Sequence, residues 1–399
     1  MKGWIKSTRK SKGLTFCTIT DGKRDHQITM VDGECVIDGE LKVGASFVAE
    51  GVYSKTPKGQ DEFLVSKLTI VGVSDDTYPI QPKKHSDEFL RSIPELRGRT
   101  KGMQATWKMR HYLTQAIHKF MDAEGFIQYY TPLITHADCE GAGETFDVQS
   151  DWMHEKLTVS GQLHGEVGMM SLGKIYTFSP CFRAEKSMTR KHLSEFWMIE
   201  PEMAFYDLEQ TIEFASIFVK EVMLSVISRS VYPYDEFKQL GISSETVADM
   251  ASMIKQAWPV VTYQEVIEKF GVIYGDDISS EVEKKVVDYF KLPVFITHYP
   301  KELKPFYMKK DDKVAYCFDL IFPEVGEVIG GSQREESYDV LCAQMTDAGL
   351  DMEKMKWYLS TRKYGTVPHS GFGLGFERLL MYLTKASKIH DVIPFPVSY

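Results

Sequence analysis

The first 72 residues alternate apolar and polar positions with the period of two that is typical of β-strands. Asp-Gly pairs at 21–22, 32–33 and 38–39 mark turns between the alternating segments. Five strands are predicted, at 3–8, 14–20, 26–31, 46–54 and 62–72. Five short strands within about 70 residues indicate a small closed β-barrel, of which the OB-fold is an example.

The pattern changes after residue 72 and again near residue 100. Residues 77–82 contain two prolines three apart, which excludes a regular helix or a central strand there, so 73–100 is predicted to be a hinge or linker. From 101 the chain mixes helical and strand-like periods. A helix is predicted at 106–124, with its apolar side chains on one face: Met109, Leu113, Ala116, Ile117, Phe120 and Met121.

Three further segments complete the predicted second domain, 101–399. Gly125 ends the first helix as a natural cap, and a strand follows at 126–130. A second amphipathic helix covers about 208–228, with Phe214, Ile217, Phe218, Val222 and Val226 on its apolar face. Residues 229–270 are predicted to form a mostly helical insertion. The chain as a whole is therefore predicted to be an α+β protein.

Composition narrows the class of protein. Apolar residues make up 43% of the 399 residues and charged residues 26%, which is ordinary for a globular protein. No apolar run reaches the roughly 18 residues that a membrane span needs, and residues 1–5 lack the apolar stretch of a secretory signal. The six cysteines form no C-x-x-C pair, so neither a zinc site nor a disulfide framework is indicated. We expect a cytoplasmic protein with reduced thiols.

The charge is unevenly distributed. The formal net charge is −9, but residues 1–24 hold seven lysines or arginines against Asp21 alone, a local charge of +6. A basic patch on an acidic protein can guide one polyanion to one surface. A lysine-rich strand edge that merely prevents aggregation is the alternative.

The segment 176–202 has two apolar, strand-like arms around a basic loop. Arg183 stands at the entrance of the loop. The loop contains four further basic side chains, Lys186, Arg190, Lys191 and His192. Such a hairpin can present cations to a phosphate chain, and Phe196 on the second arm offers a flat face to a base. From these residues alone, an exposed charged hairpin is the alternative.

Two segments nearer the C-terminus complete the candidate chemistry. Glycines at 371, 373 and 375 precede a helix predicted to begin near Glu377. They permit close backbone approach, and Arg378 at the helix start can meet an anion. Close packing of a strand on a helix would also explain the glycines. Asp319 and Glu327 supply carboxylate oxygens of the kind that Mg²⁺ prefers.

Together these segments resemble motifs 2 and 3 of the class II aminoacyl-tRNA synthetases, in the aspartyl/asparaginyl branch. The helix at 106–124, with the strand that ends at Pro132, resembles motif 1, the family's dimerisation element. The resemblance extends from about residue 3 to 397 and includes the barrel, which is similar to the family's anticodon-binding OB domain. The asparaginyl members are favoured by the segments 77–86, 160–166, 195–202 and 365–371.

The resemblance implies a fold, an activity and partners. The fold would be an N-terminal OB-fold β-barrel, 1–72, followed by a catalytic domain built on an antiparallel sheet. The activity would be ATP-dependent activation of L-asparagine to an adenylate and its transfer to tRNA(Asn). The partners would be ATP, L-asparagine, tRNA(Asn) and a second copy of the chain. An aspartyl-tRNA synthetase, or an ATP-dependent asparagine synthetase derived from the same catalytic core, is the alternative.

The resemblance also assigns roles to residues. Arg183, Glu185, His192 and Arg378 would be catalytic. The ATP site would comprise Arg183, Glu185, Lys191, His192, Leu193, Phe196, Glu327, Gly375, Glu377 and Arg378. Asp319 and Glu327 would hold Mg²⁺, while Phe16 and Gln27 would read the anticodon unless Phe16 simply packs in the barrel core. The amino acid would be bound by Glu140, Gln162, Glu166, Glu200 and Arg334.

The choice between asparagine and aspartate depends most on Glu166. Aspartyl enzymes place a lysine three residues after the glutamine of the same pattern, and here Gly165 replaces it. A buried carboxylate disfavours a carboxylate ligand, whereas it accepts from the NH₂ group of an amide. Glu166 is therefore expected to face the side-chain amide, with Arg334 donating to the amide oxygen. A Glu166 that points to solvent or pairs with a nearby lysine is the alternative.

Overall fold

The computed structural model describes residues 1–55, 59, 61–136, 145–185, 189–231 and 236–398, with the backbone alone for 230 and 231. The chain divides into two compact units, Met1–Thr100 and Lys101–Tyr399. Each unit has its own sheet and core.

The first unit is a closed barrel. Its long strands are β1 (Lys2–Ser11), β2 (Leu14–Thr20), β3 (Asp25–Val31), β5 (Ser46–Lys55) and β6 (Asp61–Gly72). They follow the order β3-β2-β1-β5-β6, and a parallel pairing of β6 with β3 closes the ring. Closure removes exposed sheet edges. Residues of one parity, such as Cys17 and Ile19 on β2, point into the apolar core.

These strands match the five predicted from the alternation to within about three residues at each end. A further strand, β4 (Val36–Asp38), pairs with β6; at three residues it is too short for a periodic signal. The segment predicted as a hinge contains two short helices, α1 (Asp87–Ser92) and α2 (Pro94–Arg97), and groups with the barrel in one unit. Ser86 caps α1 by accepting from the Phe89 N–H.

The second unit is organised around a mixed sheet with the strand order β13-β14-β15-β16-β17-β12-β11-β7. Neighbouring strands in this sheet are antiparallel, except for the pairs β13–β14 and β11–β7, which are parallel. The strands are β7 (Ile127–Gln128), β11 (Lys174–Phe182), β12 (Glu195–Ala204), β13 (Val260–Thr262), β14 (Val294–Thr297), β15 (Cys317–Phe322), β16 (Gly326–Gln333) and β17 (His369–Gly375). A separate small sheet has the strand order β8-β10-β9. Its strands are β8 (Ile134–Thr135), β9 (Asp147–Ser150) and β10 (Met153–Leu157), which fall between β7 and β11 along the chain. This sheet-rich architecture confirms the predicted α+β fold class.

Helices cover the large sheet because its strands bury apolar side chains on both faces. On β14, Val294 and Ile296 belong to one apolar cluster and Phe295 to another, as alternation along a strand requires. The helices are α3 (Lys101–Ala123), α4 (Gln162–Leu172), α5 (Leu208–Val231), α6 (Glu236–Gln239), α7 (Ser244–Ile254), α8 (Tyr263–Phe270), α9 (Ser280–Phe290), α10 (Tyr338–Asp347), α11 (Lys356–Lys363) and α12 (Phe376–Thr384).

Local expectations need three adjustments. The strand expected at 126–130 is reduced to Ile127–Gln128, because two residues are all that pair with β11. The insertion at 229–270 is largely helical but includes strand β13, which extends the main sheet. On α5, Phe214, Phe218, Val222 and Val226 are buried, whereas Ile217 is 46% exposed. It lies to the side of the buried stripe that the i, i+4 spacing forms.

Cys17, Cys35, Cys317 and Cys342 are free thiols, and Cys139 lies outside the described residues. Among the described helices, none is both long and apolar enough to span a membrane.

The core of the second unit generates a stability prediction. Phe318 on β15 is fully buried, with ring centroids of Phe295 and Phe372 at 5.7 and 6.4 Å. Phe318→Ala should lower the free energy of unfolding of this unit by about 3–5 kcal/mol, because it removes a large buried side chain and leaves a cavity. Urea denaturation measures the change. Phe395→Ala is the matched control, because Phe395 is 64% exposed; equal losses for the two variants would contradict the assigned core.

Candidate active site

Two adjoining cavities open on the central strands of the large sheet. The first has a volume of about 250 Å³ and the second about 270 Å³. Four residues line both cavities: Arg183, Met198, Glu327 and Gly373. Ligand groups bound in the two cavities would therefore meet beside Arg183.

The first cavity is lined by residues of the β11–β12 hairpin, of strands β16 and β17, and of helix α12. The β11–β12 hairpin supplies Arg183 and Phe196, which stand at the end of a nine-residue antiparallel register. Strand β16 supplies Glu327, and α12 supplies Arg378 in its first turn. Gly375 precedes α12 and leaves its N-terminus without a side-chain cap. The first turn of α12 thus faces the cavity with its positive dipole end.

Aromatic and cationic groups lie close together in the first cavity. The Arg183 guanidinium lies 5.4 Å from the centroid of the Phe196 ring. Arg378 donates from Nη1 to the Glu327 carbonyl oxygen at 2.6 Å, and the same nitrogen lies 3.9 Å from the Glu327 carboxylate. The arrangement provides a flat apolar face beside two guanidinium groups, which suits a base joined to a phosphate chain.

The loop residues Lys191 and His192 also line the first cavity. Burial lowers the pKa of each, and the nearby Arg378 lowers both further. Glu283 on α9 faces the same cluster. Burial raises the pKa of Glu283 to about 7, with a further contribution from Glu327. A polyanion bound here would relieve the repulsion among the cations.

Glu377 connects three elements of the fold. Its carboxylate accepts from the Trp197 backbone N–H at 2.9 Å and pairs with Arg110 at 2.8 Å. These contacts connect α12 to β12 and α3. Glu377 therefore fixes the position of the neighbouring Arg378 while it forms part of the cavity wall.

One end of the second cavity is rich in hydrogen-bond acceptors. Glu200 on β12 accepts from the Ser160 hydroxyl, from the Gly161 N–H at 2.9 Å and from the Thr177 hydroxyl at 2.7 Å. Gln162 at the start of α4 lies on the same wall. A buried carboxylate beside an amide suits a small cation such as an ammonium group.

The other end of the second cavity holds a buried ion pair. Arg334, which follows β16, donates from Nε and Nη2 to the two carboxylate oxygens of Glu202 at 3.1 and 2.5 Å. Its Nη1 donates to the Ser332 hydroxyl at 2.8 Å. Arg334 is 2% exposed and Glu202 is fully buried. Burial raises the pKa of Glu202, and the charge of Arg334 opposes that rise.

A glycine on β17 makes room for this pair. Glu202 and Gly371 are register partners in the sheet, and a Cβ atom on Gly371 would lie 2.3 Å from the Glu202 carboxylate carbon. No side chain fits at that distance. The sequence analysis suggested that the glycines at 371, 373 and 375 permit close backbone approach. At Gly371 the reason is that the Glu202 carboxylate occupies the space of a side chain.

Asp319 on β15 lines the second cavity, and Glu327 on β16 lines both cavities. Across their strands, a Cβ atom on Gly330 would lie 3.0 Å from a Glu327 oxygen and 3.5 Å from an Asp319 oxygen. The glycine thus leaves a space with carboxylate oxygens on two sides. Lys304 also pairs with Asp319 at 3.0 Å. Burial alone would lower the pKa of Lys304, but the charge of Asp319 keeps that pKa above its usual value.

The described residues contain no group of three or more His, Cys, Asp and Glu side chains that could enclose a metal ion. Two carboxylates with a free space between them suit a hard cation that takes its remaining ligands from phosphate oxygens or water. The donor set of Asp319 and Glu327 therefore fits Mg²⁺ bound together with a phosphate chain.

The structure brings together most of the side chains predicted for the site. All ten residues expected at the ATP site line the first cavity. Gln162, Glu200 and Arg334 line the second cavity. Glu140 lies outside the described residues.

Glu166 does not occupy its expected place. It is fully buried but does not line either cavity, because α4 packs against α11 and the helix–helix contact encloses it. Glu202 is the carboxylate beside Arg334 instead. The expectation that Glu166 faces the ligand amide does not fit this geometry.

Sequence reasoning missed the position of Glu202, although a signal was present. Glu200 and Glu202 are two residues apart on one strand, so their side chains leave the same face of the sheet. Placing Glu200 in the site therefore also places Glu202 there. Lys304 and Tyr307 also line the second cavity, from an irregular segment without a periodic signal.

On the barrel, Phe16 and Gln27 share the outer face. Phe16 pairs with Arg9 and Thr29, and Gln27 pairs with Thr18, two residues from Phe16 on β2. Phe16 is half-buried and Gln27 is exposed, whereas Cys17 and Ile28 point inward. The Arg9 guanidinium lies 5.5 Å from the Phe16 ring centroid. Phe16 is not among the members of the barrel core.

Comparisons with known proteins agree with this architecture. The sequence model of the family "tRNA synthetases class II (D, K and N)" matches residues 88–399. The asparagine–tRNA ligases of Desulfotalea psychrophila and Parabacteroides distasonis are 42% and 41% identical to the chain, covering 99% of it and 94% and 93% of their own lengths.

Solved structures give the same result. The asparaginyl-tRNA synthetase of Pyrococcus horikoshii complexed with asparaginyl-adenylate has a TM-score of 0.92 and 30% identity, covering 100% of this chain and 94% of that one. The Entamoeba histolytica enzyme in complex with asparaginyl-adenylate has a TM-score of 0.87 and 26% identity, covering 99% and 94%. The chain therefore belongs to the class II tRNA synthetases of the D, K and N group.

Proposed function

We propose that the protein is an asparagine–tRNA ligase, which activates L-asparagine with ATP and transfers it to tRNA(Asn). The observation that carries the proposal is the buried Arg334–Glu202 pair at one end of the second cavity. The full-length relatives that are named asparagine–tRNA ligases support it.

The pair is chemically matched to a side-chain amide. An amide carries NH₂ donors and a carbonyl acceptor. Glu202 accepts from the NH₂ group and Arg334 donates to the oxygen, so both halves of the amide are satisfied. The carboxylate of aspartate would face Glu202 at close range in a buried site, which is strongly unfavourable. At the opposite end, Glu200 and Gln162 receive the α-ammonium group.

ATP occupies the first cavity in this proposal. Phe196 stacks on the adenine, and Arg378 covers its other face near the γ-phosphate. Lys191 offsets the negative charge of the phosphate chain, and His192 lies beside it in the same cavity wall. Arg183, which lines both cavities, reaches the α-phosphate where it meets the amino acid carboxylate.

The reaction needs no protein nucleophile. A carboxylate oxygen of asparagine attacks the α-phosphorus, the bond from that phosphorus to the bridging oxygen breaks, and pyrophosphate leaves with the electron pair. A ribose hydroxyl of the tRNA then attacks the activated carbonyl, and AMP leaves. Arg183 stabilises the negative charge that develops at the α-phosphate, and the two cavities hold the reactants in line.

Mg²⁺ would be held by Glu327, with Asp319 in support. When bound, it neutralises charge on the phosphate oxygens. Gly330 leaves the space that such an ion needs.

The barrel is proposed to bind the anticodon. Phe16 and Gln27 lie on one outer face with Arg9, and an aromatic ring beside a cation suits stacking on an unpaired base. The barrel also distinguishes this proposal from a synthetase-derived asparagine synthetase, because such enzymes lack an anticodon-binding domain. A cytoplasmic location remains a prediction.

A homodimer is proposed through the segment that follows α3. Four of its apolar side chains are exposed by 38–82%: Ile127, Tyr130, Leu133 and Ile134. Trp152, between β9 and β10, is 83% exposed. A concentration of exposed apolar groups indicates a contact surface, and a two-fold dimer covers the same surface of both copies.

The first prediction from the proposed function concerns substrate choice. Asparagine should support ATP–pyrophosphate exchange at neutral pH, and aspartate should be weaker by a factor on the order of 10⁴, because it leaves buried groups unpaired. Isotope exchange with asparagine, aspartate and no amino acid measures the ratio. Equal use of aspartate would exclude the proposed function.

Two variants serve as controls for this assay. Arg183→Ala and Arg378→Ala each remove a fixed cation from the phosphate site and should reduce exchange by at least about a hundredfold. A decrease of less than about tenfold in either variant would contradict the assignment of the first cavity to ATP.

The second prediction concerns tRNA. Phe16→Ala should raise the KM for tRNA by about tenfold or more, because a stacked base loses its partner, and should leave pyrophosphate exchange unchanged. Aminoacylation kinetics with a tRNA(Asn) transcript measure the effect. Val36→Ala, at another exposed apolar position on the barrel, should leave the KM unchanged. Parallel loss of thermal stability and of both activities in Phe16→Ala would assign Phe16 to core packing.

The third prediction concerns assembly. Light scattering at micromolar concentration should give about 91 kDa, twice the 45.6 kDa of one chain. Tyr130→Glu should shift the mass toward the monomer, because it places a charge on the apolar contact surface. A fully active wild-type monomer would refute the dimer.

A further inference from the structure

Glu166 lies at the centre of a buried polar cluster behind the second cavity. The cluster comprises Gln162 and Glu166 on α4, Tyr358 and Arg362 on α11, and His369 on β17. Each helical pair is four residues apart, so its two side chains share one helix face. The side chains of Glu166, Arg362 and His369 are fully buried.

The two oxygens of Glu166 have different partners. Oε2 accepts from the Tyr358 hydroxyl at 2.8 Å and from Arg362 Nη2. Oε1 accepts from Gln162 Nε2 at 3.0 Å. Arg334 Nε lies 3.9 Å from Oε1, but Arg334 donates to Glu202. One oxygen therefore anchors the carboxylate, and the other holds the Gln162 amide.

The Glu166 carboxylate is ionised in this setting. Burial alone would raise its pKa, but the charge of Arg362, with a further contribution from Arg334, keeps that pKa well below its usual range. His369 is neutral, because burial lowers its pKa. Its Nδ1 lies 2.7 Å from the Val367 carbonyl oxygen, and its Nε2 lies 3.2 Å from Glu166 Oε2 and 3.3 Å from Arg362 Nη2.

An ionised carboxylate can only accept hydrogen bonds. The Gln162 group that faces Glu166 must therefore be its NH₂, which leaves the Gln162 carbonyl oxygen for the second cavity. That oxygen joins Glu200 at the acceptor-rich end of the cavity. A free amide without this constraint could present either its oxygen or its NH₂ to a ligand, and the NH₂ would repel an ammonium group.

We propose that Glu166 is a positioning residue, which holds the Gln162 amide with its oxygen toward the second cavity and so creates the binding site for the α-ammonium group. The proposal rests on the function proposed above. It assigns Glu166 to the ammonium end of the amino acid and not to the side-chain amide, which contacts Glu202.

The test compares asparagine with succinamate, which has the same side-chain amide and carboxylate but lacks the α-ammonium group. In Glu166→Gln, the new amide keeps its oxygen toward the two donors Tyr358 and Arg362, so its NH₂ faces Gln162. Gln162 then turns over and presents its NH₂ to the ligand. The KM for asparagine in pyrophosphate exchange should rise about ten- to hundredfold, because a hydrogen bond to a charged group is replaced by repulsion.

The inhibition constant of succinamate should change less than about threefold in the same variant. Glu202→Gln is the opposite control and should weaken asparagine and succinamate together. Tyr358→Phe removes a donor from Oε2 but leaves the Oε1–Gln162 bond, so the KM for asparagine should stay within about threefold of the wild-type value.

A second variant covers the case in which Glu166→Gln fails to fold with Arg362 unpaired. Glu166→Asp keeps the charge beside Arg362, while its shorter side chain withdraws from Gln162. The same selective loss of asparagine is expected. In a Gln162→Leu background, Glu166→Asp should add no further increase in the KM for asparagine, because its target amide is gone.

Two results would overturn the inference. One is an equal weakening of asparagine and succinamate by the Glu166 variants, as a contact to the side-chain amide or a general structural role would produce. The other is an unchanged KM for asparagine. Failure of the proposed function is distinct, since a wild-type enzyme without asparagine-dependent exchange would already show it.

Discussion

The buried pair of Arg334 and Glu202 constrains much of the second unit. Two charges removed from water cost several kcal/mol each unless hydrogen bonds and the opposite charge compensate for them. The structure compensates with a two-point contact between the pair and a bond from Arg334 to Ser332. It also requires Gly371 across the sheet, because any side chain there would overlap the Glu202 carboxylate. Three strands, β12, β16 and β17, must therefore stay in one register.

A second layer of charge lies behind this pair. Glu166 and Arg362 are fully buried, and Arg362 also donates from Nε to the Glu335 carbonyl at 2.9 Å. Helices α4 and α11 are thereby connected to the segment that carries Arg334. Buried polar groups that are fully satisfied restrict a site to one arrangement. A small ligand with several polar groups needs such a site, because discrimination depends on leaving the wrong ligand unpaired.

The first cavity differs from the second in that several cationic side chains converge on it. Arg183, Lys191 and Arg378 converge on one cavity, and burial together with the charge of Arg378 lowers the pKa of Lys191. Glu185, Glu327 and Glu377 line the same cavity and offset part of this charge. The converging cations are suited to a ligand with several negative charges. The two cavities thus differ in chemistry. The first suits a polyanion, and the second suits a small ligand that has both donors and acceptors.

The sequence by itself determined the barrel strands, the main helices and the residues of the first cavity. Alternation along β1, β2, β3, β5 and β6 and the apolar faces of α3 and α5 are local patterns, and Arg183, Phe196 and Arg378 lie in segments with distinctive spacing. The tertiary structure decided which of two glutamates lines the second cavity beside Arg334. Glu166 and Glu202 are both acidic residues near the site in sequence, but the packing of α4 on α11 encloses Glu166, while the pleat of β12 turns Glu202 toward Arg334. The direction in which a buried side chain points depends on neighbours far along the chain, and a single sequence does not encode those neighbours locally.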